Sequence, residues 1–148
     1  MRYTILFALF TMLLVGCKKD KFTTVPQLKY KSVNTNVLGV DQVIHFYLDF
    51  TDAEGDIDSV YIQKITSSCP ASNIRDSTEF SPDVPQTKNQ HGELIISYAN
   101  GINSFPYTTI APLCPDQNDT CYFRFYAKDK KKNVSDTITS EQIVIIKN

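Results

Sequence analysis

Residues 43–50 read Val-Ile-His-Phe-Tyr-Leu-Asp-Phe, and apolar and polar side chains alternate along them. Ile44, Phe46, Leu48 and Phe50 fall on one face, Val43, His45, Tyr47 and Asp49 on the other. A period of two belongs to a β-strand with one face buried. Residues 122–128 repeat the pattern, with Phe123, Phe125 and Ala127 facing in and Tyr122, Arg124, Tyr126 and Lys128 facing out. Leu94, Ile96 and Tyr98 alternate with Ile95 and Ser97 in the same way. Further strands are expected at 28–38, 59–66, 105–110 and 138–147, runs rich in the aromatic and β-branched residues that suit a pleated surface. No stretch beyond residue 16 shows a 3.6-residue apolar period. The expectation is an all-β chain, a single antiparallel β-sandwich of about seven strands. Residues 67–90, with Pro70, Pro82 and Pro85, are expected to be its irregular connection.

The chain has 148 residues, enough for one domain with a useful core. Its formal net charge of −1 gives no basic excess for nucleic acid. Residues 1–16 carry Arg2 and then an almost wholly apolar run, too short for the roughly 20 residues of a membrane span. These are the charged start and apolar centre of an export leader. Residues 17–27 read as a tether and 28–148 as the folded domain. Leu14-Val15-Gly16-Cys17, followed at once by Lys18-Lys19-Asp20-Lys21, resembles the lipobox of bacterial lipoproteins. That resemblance implies cleavage before Cys17 and acylation of its thiol and new amine, because several acyl chains hold a membrane stably where one does not. It places the protein in the cell envelope, a lysine after the cysteine favouring the outer membrane, with the face undetermined.

The strand count and spacing also resemble the immunoglobulin-like sandwich. Two turns sharpen the likeness. Phe50–Asp56 is similar to the F-x-D-x-x-G-D turn of bacterial immunoglobulin-like and cadherin-like modules, and Asp129–Ser135 to their closing hairpin. Lys132 stands where that hairpin usually has glycine, and Asn133 can still adopt a left-handed conformation there. The resemblance makes 43–51 strand B, 59–66 strand C and the run from 121 strand F.

Asp52, Glu54, Asp56 and Asp58 occupy alternate positions in the first of these turns. Such a set offers oxygen ligands to calcium. The implied fold brings the B–C and F–G loops to one end, so Lys128, Lys130, Lys131 and Lys132 would face the carboxylates. Mutual compensation on a solvated rim is therefore the simpler reading. The lysines could also meet anionic headgroups, since strand A starts at that end.

Beyond Cys17, Cys69, Cys114 and Cys121 are disulfide candidates in an oxidising compartment. Cys114 and Cys121 are close in sequence, and the implied fold puts the end of strand C near the start of strand F, so all three pairings stay open. Tyr47, Tyr61, Tyr122 and Tyr126 point outward and could form an aromatic binding platform. His45 is expected to be a surface residue, and no nucleophile-elbow, zincin or P-loop pattern is present. The function expected is a lipid-anchored, non-enzymatic binding or structural module with an envelope protein or glycan as partner. A carbohydrate-binding accessory lipoprotein is the alternative. An enzyme rests only on the generality of folds.

Overall fold

The computed structural model describes residues 22–66, 76–101, 106–114 and 116–147. Among them are ten strands: β1 (Gln27–Val33), β2 (Val37–Leu38), β3 (Gln42–Asp52), β4 (Ile57–Thr66), β5 (Asp76–Phe80), β6 (Gln90–Asn100), β7 (Thr108–Thr109), β8 (Asp119–Asp129), β9 (Ile138–Thr139) and β10 (Ile143–Ile145). One sheet runs β1-β3-β6-β7; the other runs β2-β10-β8-β4-β5, with β9 also on β8. In immunoglobulin lettering β1 is A, β3 B, β4 C, β6 E, β8 F and the β9–β10 pair G, so the expected placement of strands B, C and F holds. Both sheets are mixed rather than purely antiparallel, because β2 pairs with β10 and β7 with β6 in parallel.

The alternation read in residues 43–50 governs the core. Ile44, Phe46, Leu48 and Phe50 are buried against Phe123, Phe125 and Ala127 from the facing sheet. Phe46 sits between Phe123 and Phe125, with ring centroids 4.7 and 5.3 Å away, the offset spacing aromatic rings favour.

Three expected strands are shorter or divided. The 28–38 run becomes β1 and β2 in opposite sheets, and the crossing is made at Thr35, whose Oγ1 accepts from the Val37 N–H. Of 105–110 only Thr108–Thr109 is a strand, and 102–105 lie outside the described residues. The last run is divided at Ser140. There the serine Oγ takes the Phe123 N–H at 2.9 Å while its own N–H reaches the Phe123 carbonyl at 2.8 Å. Ser135 does the same for Ala127. Both serines are buried, and both keep strand β8's backbone satisfied where its neighbour departs from regular pairing. Within the segment expected to be irregular, β5 forms an edge strand on β4, its sequence DSTEF having no apolar alternation to betray it.

Candidate functional site

The acidic turn joins β3 to β4. Asp52 is the last residue of β3 and follows the inward parity of Ile44 to Phe50, so its carboxylate enters the end of the sandwich and is 0% exposed. Its Oδ2 accepts the Asp56 N–H at 2.8 Å, which closes the turn. Gly55 takes φ +68°, and a Cβ there would lie 2.6 Å from the Thr87 carbonyl carbon, so only glycine fits. Backbone bonds clamp the turn from three sides. The Ala53 N–H reaches Thr23 O at 3.1 Å, the Asn89 N–H reaches Ala53 O at 2.9 Å, and the Lys130 N–H reaches Asp56 O at 3.0 Å.

One carboxylate oxygen from each of Asp52, Glu54 and Asp56 lies within 4.8 Å of the others. Asp52 Oδ1, Glu54 Oε2 and Asp56 Oδ1 are buried atoms without a hydrogen-bond partner among the described residues. Asp58 does not join them. Strand β4 begins at Ile57, and an irregularity between Ile57 and Ser59 leaves the Asp58 side chain exposed. Burial is the main force raising the Asp52 pKa above the usual Asp value, with the charges of Asp56 and Glu54 adding to it; N–H groups of Asp56 and Gly55 pull the other way.

The lysine hairpin is at this end, as expected, and among the described residues its ion pairing with the turn is Lys131 Nζ to Glu54 Oε1 at 3.4 Å. The hairpin closes on Asp129, whose carboxylate accepts from both the backbone and the side-chain N–H of Asn133, at 2.7 and 2.6 Å. Lys132, not Asn133, takes the left-handed conformation, with φ +70°. Asn133 is instead held by Asp129.

The opposite end contains Cys114 and Cys121. Cys121 is not a disulfide partner: it is a free thiol, 0% exposed, because position 121 shares the inward parity of Phe123 and Phe125. Burial, then the Asp119 carboxylate, push its pKa up to about 12, with Lys64 lowering it. Cys114 is half-buried, and Cys69 and Cys17 lie outside the described residues. Beside Cys121 a buried ion pair joins Lys64 Nζ to Asp119 Oδ2 at 3.1 Å. Lys64 also donates to Ala111 O at 2.8 Å, and Asp119 accepts from Leu113 N–H at 3.1 Å and from the Thr66 hydroxyl. The pair thus pins the β7–β8 loop to β4. In the sequence only the inward parity with Ile62 sets Lys64 apart from an ordinary strand lysine. A cavity of about 420 Å³ opens alongside, lined by Ile62, Lys64, Thr78, Tyr98, Ile110 and Phe123 among others.

The tyrosines do not form one platform. Tyr47 projects from the β1-β3-β6-β7 sheet, Tyr122 and Tyr126 from the other, so the sandwich separates them. Tyr61 and Tyr126, directly opposite on β4 and β8, stack with centroids 4.9 Å apart and planes at 8°. His45 faces outward, its Nδ1 2.7 Å from Ser97 Oγ, a contact that follows from the pairing of His45 with Ser97 across β3 and β6.

No protein-family model matches the chain, and no curated protein does. Among solved structures it is similar to Spo0M, the sporulation control protein of Bacillus subtilis, at 3% identity and TM-score 0.45, over 85% of this chain and 51% of that one. It is also similar to the CARDB domain of the PF1109 protein from Pyrococcus furiosus, determined in complex with di-metal ions, at 10% identity and TM-score 0.36, over 86% of this chain and 100% of that one. The chain thus spans about half the length of Spo0M. At these identities the likeness is one of β-sandwich fold alone.

Proposed function

We propose that this chain is a lipid-anchored, non-enzymatic binding or structural module of the bacterial cell envelope. The observation that carries the reading is Cys17, placed between an apolar leader and a short polar stretch. The tether's end supports it. Phe22 already packs its ring edge-on to His91, centroids 6.1 Å apart, and Thr23 is bonded to the acidic turn. The five residue steps from Cys17 to Phe22 reach at most about 18 Å, so an acylated Cys17 would hold the domain close to the bilayer, acidic-turn end inward. The outer membrane is the proposed location. The test is replacement of Cys17 by Ala, followed by cell fractionation and mass measurement of the parent. Release from the membrane together with an acyl mass increment on the parent is expected. A variant that stays membrane-bound and a parent of unshifted mass would overturn the reading.

In this reading Cys69 pairs with Cys114. Cys121 is sealed in the core, while Thr66, at the end of β4, and Leu113, beside Cys114, both bond to Asp119. With the Cys17 thiol acylated, the unreduced, denatured chain should then expose one titratable thiol, that of Cys121. Three would refute the pairing.

One observation favours a glycan as partner. The Tyr61–Tyr126 stack, with exposed Tyr122 on the same strand face as Tyr126, sets aromatic surface on β4 and β8. Glycan binding lost in Tyr122→Ala and Tyr126→Ala would support it, and binding that survives both changes would remove this face from consideration.

A further inference from the structure

The structure assigns a divalent-cation site, best suited to calcium, to the turn between β3 and β4, with Asp52, Glu54, Asp56 and the side-chain oxygen of Gln90 as ligands. Acidic turns are common without ions, so the proposal rests on two further observations. The first is Asp52. It is wholly buried, its Oδ2 closes the turn on Asp56, and its Oδ1 has no hydrogen-bond partner among the described residues. A buried carboxylate oxygen without a donor is unfavourable unless a positive charge meets it. Glu54 Oε2 and Asp56 Oδ1 are in the same condition.

The second is Gln90, which carries no charge and belongs to another strand. It is directly opposite Asp52 in the β3–β6 register, on the same inward face, and is 7% exposed. Side chains opposed in this way have Cβ atoms about 5 Å apart. Its amide N–H₂ donates to Pro85 O at 2.6 Å, which turns the other end of the amide away from that carbonyl, and its Oε1 is buried without a donor. Gln90 and Asp52 thus stand opposite each other on the inner face, each with a buried oxygen that lacks a donor among the described residues, beside the turn that carries Glu54 and Asp56.

Donor type and geometry select the ion. All ligands are oxygens, as hard cations require. One oxygen from each of the three carboxylates lies within 4.8 Å of the others, within reach of a single ion. Calcium takes such irregular sets of oxygens, whereas magnesium demands near-ideal octahedral geometry and dehydrates reluctantly. Lys131 does not fill the site. It binds Glu54 through Oε1 from the exposed side, with its own side chain 60% exposed, and leaves Oε2 inward. Three carboxylates and one ammonium leave a local charge of −2, which a dication neutralises. The backbone clamps from Thr23, Asn89 and Lys130 hold the turn before any ion arrives, so little ordering cost falls on binding. The same clamps tie the site to the tether. Cation binding would stiffen the junction between tether and domain, and this holds whether or not Cys17 is acylated.

The test uses the full chain, solubilised in detergent and stripped with chelator. Calcium uptake is measured by equilibrium dialysis, with a thermal melt in parallel. One calcium per chain is expected, with a saturable rise in melting midpoint of roughly 10 °C at a hundredfold excess over Kd, reversed by chelator, and a weaker response to magnesium. Asp52→Asn keeps an acceptor for the Asp56 N–H and should abolish both uptake and shift, while melting in chelator at or above the parent. Glu54→Gln, at the less buried part of the turn, serves if Asp52→Asn does not fold, and should weaken binding at least tenfold. Asp58→Asn should bind as the parent does. Absence of saturable uptake would overturn the assignment. So would uptake that survives both Asp52→Asn and Glu54→Gln, or uptake lost equally in Asp58→Asn.

Discussion

Replacing Lys64 by Met tests whether the buried pair at the cysteine end is a structural clamp. The Lys64 side chain is 3% exposed and that of Asp119 is fully buried. Methionine preserves the apolar stem against Ile62 and Phe123 but removes the ammonium. Two losses follow. Ala111 O loses its donor at 2.8 Å, and among the described residues the Asp119 carboxylate keeps two neutral donors, the Thr66 hydroxyl and the Leu113 N–H. Breaking one side of a buried pair costs about 3–5 kcal/mol. The neutral donors that remain put the expected value near the lower bound, about 3 kcal/mol. For a domain of this size that is a fall in Tm of roughly 10–15 °C. The assay is urea denaturation followed by circular dichroism, with Lys64→Met, Asp119→Asn and the double variant in one cycle. The double variant should be less destabilised than the sum of the single changes by about 1–3 kcal/mol. A Lys64→Met cost under 1 kcal/mol, or singles that simply add, would refute the clamp.

Gly55→Ala should destabilise by about 2 kcal/mol or more, since the new Cβ meets the Thr87 carbonyl at a positive φ, and a chemical melt reads it directly. Ser140→Ala leaves the Phe123 N–H buried without its acceptor and should cost about 1–3 kcal/mol, with faster amide exchange at Phe123 as the local sign. The raised Asp52 pKa sets a pH dependence in chelator. The folded state holds this proton more tightly than the unfolded chain does. The contribution is fully present below the unfolded Asp pKa and is lost as pH rises through the folded one. The stability of Asp52→Asn relative to the parent should therefore increase with pH across that window, and a flat difference would contradict the burial argument.

The sandwich was legible where a strand has one wet face. Residues 43–50 and 122–128 declare their parity because every second side chain enters the core, and the Ile44 to Phe50 and Phe123 to Ala127 series are buried as that parity requires. Legibility fails for short or edge strands. β5 pairs through its backbone while exposing Ser77, Glu79 and Phe80, so nothing in its composition distinguishes it from a loop. Of the acidic turn, the sequence showed four evenly spaced carboxylates but not that the chain bends at Gly55 and that β4 then starts irregularly, which gathers Asp52, Glu54 and Asp56 and turns Asp58 away. Gln90 was invisible because its role depends on lying opposite Asp52, a register fixed only by the whole β3–β6 pair. The burial of Cys121 is legible in its parity with Phe123 and Phe125, which separates it from the other cysteines although all four share one compartment in the proposed location.

The two ends of the sandwich differ in kind. Tether, acidic turn and lysine hairpin meet at one end through the Thr23, Asn89 and Lys130 backbone bonds. The other end contains the Lys64–Asp119 pair and Cys114, and the 420 Å³ cavity opens between the sheets beside that pair. Under the proposed anchoring at Cys17 the first end faces the bilayer and the second faces away. A partner too large to slip beneath a domain tethered by five residues would then meet the β7–β8 loop before it met the lysines. That loop is held by the ion pair rather than by a continuous sheet edge, since Ala111 and Leu113 bond to Lys64 and Asp119. The outward end thereby joins a preformed cavity to a loop whose position depends on two charges. Lys64→Met should disturb any binding at that end in proportion to its effect on loop position, while leaving calcium uptake at the opposite end unchanged.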